Sequence, residues 1–280
     1  WHFIFVNYKS LLFINILKKL NQKIVVTFQG ADIQINKNIL YGNRLDKNYE
    51  KLLKKSIINV DLFTAISKNI YKDLIKIGIK KRKIIIIPNG IPLKKFIELK
   101  KKIRPSSFKK TKIKLITVAR YAEKKKGFDL IPKIILNFQK LKINYEWTIV
   151  GENTSNIFKK KITKKQKKNF KVYDNFFLDN EFFFPHKKII LKYLKSDLYV
   201  NLSRIESFGI TFVESLGANT PIITFDTKGA NEIVHNNYNG FIIKKNNVNL
   251  YCKKIKKFNK NKNIFKNNPI ISSKSYDLFM

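Results

Sequence analysis

The sequence predicts an α/β protein made of two doubly wound domains, and three observations lead there. Short, near-continuous apolar runs rich in β-branched residues recur along the 280 residues, as in IVVTF at 24–28 and KIIIIP at 83–88. Strands of that composition belong to parallel sheets covered on both faces. Segments with apolar residues at helical spacing alternate with them, which gives repeated strand, turn and helix units. The pattern breaks once, at LKKKIRPSSFKKTK (99–112), and then resumes, so a linker separates two domains. The boundaries read as residues 1–97, a linker at 98–112 and residues 113–280, in line with the usual length prior.

In the first domain a helix over Tyr8–Leu20 feeds a strand at Lys23–Phe28. A polar loop at 29–44 follows, then a helix near Lys47–Ile57, a strand at Asp61–Ala65 and a helix opened by Ser67, a residue type suited to an N-cap. The strand at Lys83–Pro88 runs into the turn signal Asn89-Gly90. In the second domain, strands are expected at 114–119, 145–150, 170–173, 197–202, 221–225 and, as GFII, after the turn ending at Gly240. Helices are expected between them, including 128–141 and 187–195.

Composition excludes several classes. No apolar run reaches the 18 residues of a spanning helix, and the start lacks the basic region and cleavage site of a signal peptide. The chain opens on Trp1 rather than Met, which reads as a fragment. Its net charge of +39 invites a nucleic-acid reading, but only five of the 58 basic residues are Arg (44, 82, 104, 120 and 204). Lys, Ile, Asn, Phe and Tyr share AT-rich codons, and a reader of phosphates and bases would favour the Arg fork. Nucleic acid is therefore not an expected partner, while a peripheral contact with anionic lipid stays open. A single cysteine, Cys252, excludes an internal disulfide and fits a reducing compartment.

The most informative stretch is ESFGITFVE, with Glu206 before a glycine turn and Glu214 inside the helix that follows. A helix N-terminus favours an anion, so a diphosphate there with a polyol at either carboxylate suits the spacing. An amphipathic helix with solvated acids suits it equally.

Taken together, the motifs resemble the retaining glycosyltransferase family 4, the glycosyl transferases group 1, which has the GT-B fold of two Rossmann-like domains facing a cleft. The resemblance rests on ESFGITFVESLGANTPIITFDTKGANEIVHNNYNGFII (206–243), VARYAEKKKGFDL (118–130), TIVGEN (148–153) and TAISKNIYKDL with IIIIPNGI in the first domain. It implies that Arg120 and Lys126, with Lys125 as a substitute one residue nearer, hold the donor diphosphate in place of a metal. It implies further that Glu214 binds ribose hydroxyls, that Glu206 binds the transferred sugar, and that backbone N–H groups across Phe208, Gly209, Ile210 and Thr211 approach phosphate and sugar. Gly151 gives room beside the nucleotide or simply ends a strand.

Two departures matter. In VTFQGAD (26–32) this chain has Gln29 where many relatives carry His, and an amide hydrogen-bonds without exchanging a proton at neutral pH. The family's opening strand and glycine-rich loop are also absent, so the first domain reads as incomplete. The implied function is transfer of a sugar, with retention, from a nucleotide diphosphate sugar to a glycan or lipid-linked acceptor in envelope or surface-polysaccharide synthesis. No cofactor or metal is expected, and the location would be cytoplasmic, at the membrane face. The alternative is a nucleotide-sugar-binding fragment or scaffold with impaired catalysis.

Overall fold

The computed structural model describes residues 1–103, 112–159, 162–174, 185–265 and 276–277. The chain divides into two compact units, one of Trp1–Asn89 with Glu206–Phe208 and one of Gly90–Ile205 with Gly209–Met280.

The first unit runs β1 (His2–Ile4), α1 (Tyr8–Lys19), β2 (Val25–Phe28), α2 (Lys47–Ser56), β3 (Leu62–Ala65), α3 (Lys68–Lys76) and β4 (Ile84–Ile86). Its four strands form a parallel sheet in the order β1-β2-β3-β4, with Val26 opposite both Phe3 and Phe63. Helix starts are fixed locally. Asn7 caps α1 in a reciprocal box with Ser10, Asp46 accepts from the amides of Asn48 and Tyr49, and Ser67 accepts from that of Ile70. Phe28 and Phe63 stack at 6.2 Å between centroids on adjacent strands. Strand β1 escapes sequence reading because three residues leave no period to detect.

The second unit comprises α4 (Leu93–Lys101), β5 (Ile113–Val118), α5 (Ile131–Lys140), β6 (Tyr145–Val150), α6 (Lys164–Lys167), β7 (Phe170–Tyr173), α7 (Lys187–Leu194), β8 (Leu198–Asn201), α8 (Ile210–Gly217), β9 (Ile222–Phe225), α9 (Ala230–Ile233), β10 (Gly240–Ile243) and α10 (Val248–Lys260). Its six parallel strands are ordered β10-β9-β8-β5-β6-β7. Helix α4 takes up residues 93–101, across the end of the expected first domain and the start of the expected linker; 104–111 lie outside the described residues. Leu93, Phe96 and Leu99 are buried at helical spacing, a face hidden in the sequence by the lysines around it. The α4 helix packs on α7 and α8, and Gly217 of α8 makes room, since a Cβ there would lie 2.5 Å from the Cδ1 of Ile91.

Trp147 organises the core of this unit. Fully buried on β6, it stacks on Phe170 of β7 at 5.6 Å and donates its indole N–H to Thr117 Oγ1 on β5 at 3.0 Å. Thr117 in turn donates to the carbonyl of Val200 on β8 at 2.7 Å. Two side chains, Trp147 and Thr117, thus join four neighbouring strands. Among the described residues no helix is long and apolar enough to cross a membrane.

Replacing Trp147 by Ala removes both the ring contacts and the indole donor, and should cost about 3–5 kcal/mol in denaturant titrations. A loss below about 1 kcal/mol would show that the core does not depend on this residue.

Candidate functional site

Strand order locates the site in the second unit. From β5 the chain proceeds outward through β6 and β7, then returns to β8 beside β5 and proceeds outward the other way. Loops leaving β5 and β8 therefore diverge at their C-terminal ends, and ligands of open α/β sheets bind in the crevice so formed. The loop after β5 carries Arg120, Lys125 and Lys126; the loop after β8 leads through Gly209 into α8.

The two loops are fastened to each other. Arg204, after β8, makes paired hydrogen bonds to Asp129 at 2.7 and 2.9 Å and donates to the carbonyl of Lys124 at 2.7 Å. Its own amide donates to the carbonyl of Lys125 at 2.9 Å. Gly127 adopts φ 69°, and a Cβ there would come within 2.1 Å of the carbonyl oxygen of Leu202, so only glycine permits this approach. Lys125 and Lys126 are half-buried in the turn, and both are engaged by neighbours. Arg120 is exposed, and among the described residues it has no hydrogen-bond or ion-pair partner. Gly151, at φ 145°, lies against the peptide joining Ala119 to Arg120, where a Cβ would sit 2.2 Å from the Ala119 oxygen. Its smallness therefore supports the backbone that presents Arg120.

Helix α8 begins as the sequence suggests. Gly209 is its N-cap at φ 86°, with no side-chain cap over the first turn, and Ile210 and Thr211 open the helix. The Thr211 hydroxyl is held by Tyr199 at 2.8 Å. Glu214 is 1% exposed, which excludes the reading of solvated acids on an amphipathic helix. Tyr193 donates to its Oε2 at 3.1 Å, while its buried Oε1 has no hydrogen-bond partner among the described residues. Burial raises the carboxyl to a pKa of about 7, against the lowering effect of the Tyr193 hydroxyl.

Glu206 and Phe208 are buried too, and both are engaged within the structure. The segment Glu206–Phe208 groups with the first unit, where Ser67 donates to the carbonyl of Ser207 at 3.0 Å and Ser207 donates to Gln34 Oε1 at 2.8 Å. In that unit Gln29 follows β2, half-buried, and its amide donates to Asp32 at 3.1 Å. Asp32 also accepts from the amides of Gly30 at 2.7 Å and Val6 at 3.2 Å. Its burial pushes its pKa up to about 6, although these backbone donors pull the other way.

The donor-side residues Arg120, Lys125, Lys126, Gly151, Gly209, Ile210, Thr211 and Glu214 thus gather on the loops and helix at the C-terminal edge of one sheet, with Gln29 and Glu206 described in the first unit. Sequence reading missed Gly127, Asp129, Arg204, Tyr193 and Asp32 as supports. Asp32 carried a local signal, a carboxylate two residues after a glycine turn, where Asp commonly captures backbone amides. The Arg204–Asp129 pair spans 75 residues and carried none.

Two parallel-sheet α/β domains, the second with its strand order reversed at a switch point, match the GT-B class, although the sheet described in the first unit runs β1-β2-β3-β4 without the reversal expected of a doubly wound domain. Residues 99–274 match the family model of the glycosyl transferases group 1, and residues 2–95 match that of glycosyltransferase family 4. The chain belongs to the glycosyl transferases group 1 family. A protein of Klebsiella pneumoniae described as an uncharacterized 41.2 kDa protein in the cps region is 27% identical over 196 residues, 69% of this chain and 50% of that protein. The alpha-monoglucosyldiacylglycerol synthase of Acholeplasma laidlawii is 27% identical over 188 residues, 64% of this chain and 45% of its own length. The chain therefore spans about half the length of these curated relatives. Among solved structures, the sucrose-phosphate synthase of Thermosynechococcus elongatus superposes with a TM-score of 0.73 at 14% identity, covering 98% of this chain and 68% of that one. Anabaena HepE in complex with UDP and glucose gives 0.67 at 15% identity, covering 99% and 74%. The pneumococcal O-GlcNAc transferase GtfA in complex with UDP and GlcNAc gives 0.67 at 18% identity, covering 94% and 51%.

The raised pKa of Glu214 makes stability depend on pH. Its folded value, about 7, exceeds the ordinary 4.5, so its contribution is fully present below pH 4.5 and is lost as pH rises through 7. Glu214→Gln cannot titrate. Comparing denaturant midpoints at pH 5 and 8, the wild type should lose up to about 3 kcal/mol more than the variant. Parallel pH profiles would show that the carboxylate is not buried as described.

Proposed function

We propose that the protein transfers a sugar from a nucleotide diphosphate sugar, with retention, to a glycan or lipid-linked acceptor in cell-envelope or surface-polysaccharide synthesis, working at the cytoplasmic face of the membrane. The observation that carries this reading is Glu214: a buried carboxylate with one oxygen satisfied by Tyr193 and the other lacking a donor among the described residues, inside a helix whose first turn has no side-chain cap. A ribose offers the hydroxyl donors such an oxygen needs, and the uncapped amides at Gly209, Ile210 and Thr211 favour the attached phosphate. The complexes of HepE and GtfA with UDP support a uridine nucleotide as the donor.

Arg120, without a partner among the described residues and on the loop after β5, takes one face of the diphosphate, with Lys126 or Lys125 on the other. These cations, rather than a metal, balance the charge that grows on the β-phosphate as its bond to the sugar C1 breaks. The acceptor oxygen bonds to C1 on the same face, and its proton passes to the departing phosphate oxygen. No protein base is then required, and Gln29 in place of His is tolerated as an orienting amide while Glu206 holds the sugar hydroxyls. Gln29 also favours a second reading, nucleotide-sugar binding without transfer.

UDP at 100 times its dissociation constant should raise the stability of the wild type by about 2.7 kcal/mol in thermal-shift titrations. Arg120→Ala and Glu214→Ala should weaken UDP at least about tenfold, the effect of losing a charged or buried hydrogen bond. Glu206→Ala should leave UDP binding intact and reduce release of sugar from its nucleotide donor. Absence of protection by any of UDP, GDP and ADP would falsify the donor-site reading, whereas binding without turnover would select the second one.

A further inference from the structure

Helix α7 buries Ile189, Ile190 and Tyr193 at helical spacing, so its sequence reads as a plain core face. Tyr193 does more than fill that core. Its ring is fully buried and stands edge-on to Tyr199 of β8, with centroids 5.6 Å apart and planes at 67°. Its carbonyl accepts from Thr220 Oγ1 at 2.9 Å, which anchors the backbone that carries the ring.

The hydroxyl at the end of this fixed ring has one proton and two acceptors within reach, both on α8. They are Glu214 Oε2 at 3.1 Å and the carbonyl of Thr211 at 3.4 Å. Burial and the neighbouring Glu214 push the Tyr193 pKa well above its usual value, so the hydroxyl keeps its proton and donates across the working range. An ionised carboxylate is the stronger acceptor of the two. Donation to Oε2 therefore favours the charged form of Glu214, while a neutral carboxyl leaves the hydroxyl to Thr211. Helices α4, α7 and α9 and strand β9 pack on α8. The charged groups they carry are the lysines and Glu98 of α4, Lys187, Lys188 and Lys192 of α7 and Glu232 of α9. None of these moves the Glu214 carboxyl, which responds to burial and, in the opposite direction, to Tyr193.

We propose that Tyr193 is the positioning residue of the nucleotide site: its hydroxyl takes Glu214 Oε2, favours the ionised carboxyl and leaves Oε1 to the hydroxyls of a ribose. The inference rests on the reading of Glu214 as the ribose-binding group, and it adds that affinity for a nucleoside diphosphate depends on pH through this one hydroxyl.

Tyr193→Phe removes the hydroxyl and keeps the ring. Without nucleotide, denaturant midpoints are compared at pH 5 and pH 9. Glu214 has a raised folded pKa, so its contribution is present at low pH and lost as pH rises through that value. Loss of the donor raises the value further, so Tyr193→Phe should lose more stability between the two pH values than the wild type does. In the Glu214→Gln background the same substitution should leave the pH dependence unchanged. With UDP, the Glu214→Gln profile accounts for titration of the phosphate itself. Relative to the wild type, Tyr193→Phe should bind UDP about tenfold more weakly at pH 6 and less than about twofold more weakly at pH 9, its midpoint displaced upward by about one pH unit.

A loss of equal size at pH 6 and pH 9, or no loss at either, would overturn the proposal and leave Tyr193 a core residue. So would stability profiles that run parallel for the wild type and Tyr193→Phe. A wild type that binds no UDP at any pH sinks the donor-site reading beneath it, whereas a wild type that binds with a profile Tyr193→Phe does not displace sinks this proposal alone.

Discussion

Arg204 is the constraint on which the switch point depends. Strand order alone makes the loops after β5 and β8 diverge; the bidentate pair with Asp129 and the bond to the Lys124 carbonyl then hold them at a fixed separation. The pair is mostly shielded, with side-chain exposures of 17% and 16%, so it is screened less than the surface pairs that contribute 0–1 kcal/mol. The fork's work is positional: bonds to two carboxylate oxygens and one carbonyl tie both loops together at once. Gly127 completes the fit by letting the backbone touch Leu202, and Gly151 does the same behind Arg120. Arg120 stands on a backbone that Gly151 packs against, and among the described residues its guanidinium makes no hydrogen bond or ion pair.

Against that rigid frame, α8 carries the opposite kind of group. Burying Glu214 with one oxygen unsatisfied costs stability, and the raised pKa is the thermodynamic expression of that cost. A group of this kind persists where a ligand supplies the missing donor. Tyr193 and Tyr199 fix its surroundings by holding Glu214 and Thr211 from the floor, so the first turn of α8 presents its amides without rearrangement. Asp32 makes a comparable device in the first unit: one buried carboxylate gathers three backbone amides and sets the loop that carries Gln29.

Much of this was legible in the sequence where a local rule applied. The strands YEWTIV and FKVY form β6 and β7 at the expected residues, Ser67 caps α3, and Gly209 opens α8. Misses came where the signal was short or masked: three residues for β1, and lysines crowding the buried face of α4. Spacing alone could not tell two solvated acids from two buried ones, because burial at Glu206 and at Glu214 is set by what packs around each in the fold and not by the local sequence. The Arg204–Asp129 pair was beyond reach for the same reason, as its members meet only after the sheet reverses direction between β7 and β8.

The central claim is that Glu214 receives a donor from the nucleotide, and proton release on binding tests it most directly. Titration calorimetry of UDP at pH 7, in two buffers of different ionisation enthalpy, counts the protons set free. Hydroxyl donors favour the charged carboxylate, so with a free pKa of about 7 the wild type should release roughly half a proton more than Glu214→Gln. UDP binding with equal proton release in the two proteins would contradict the account.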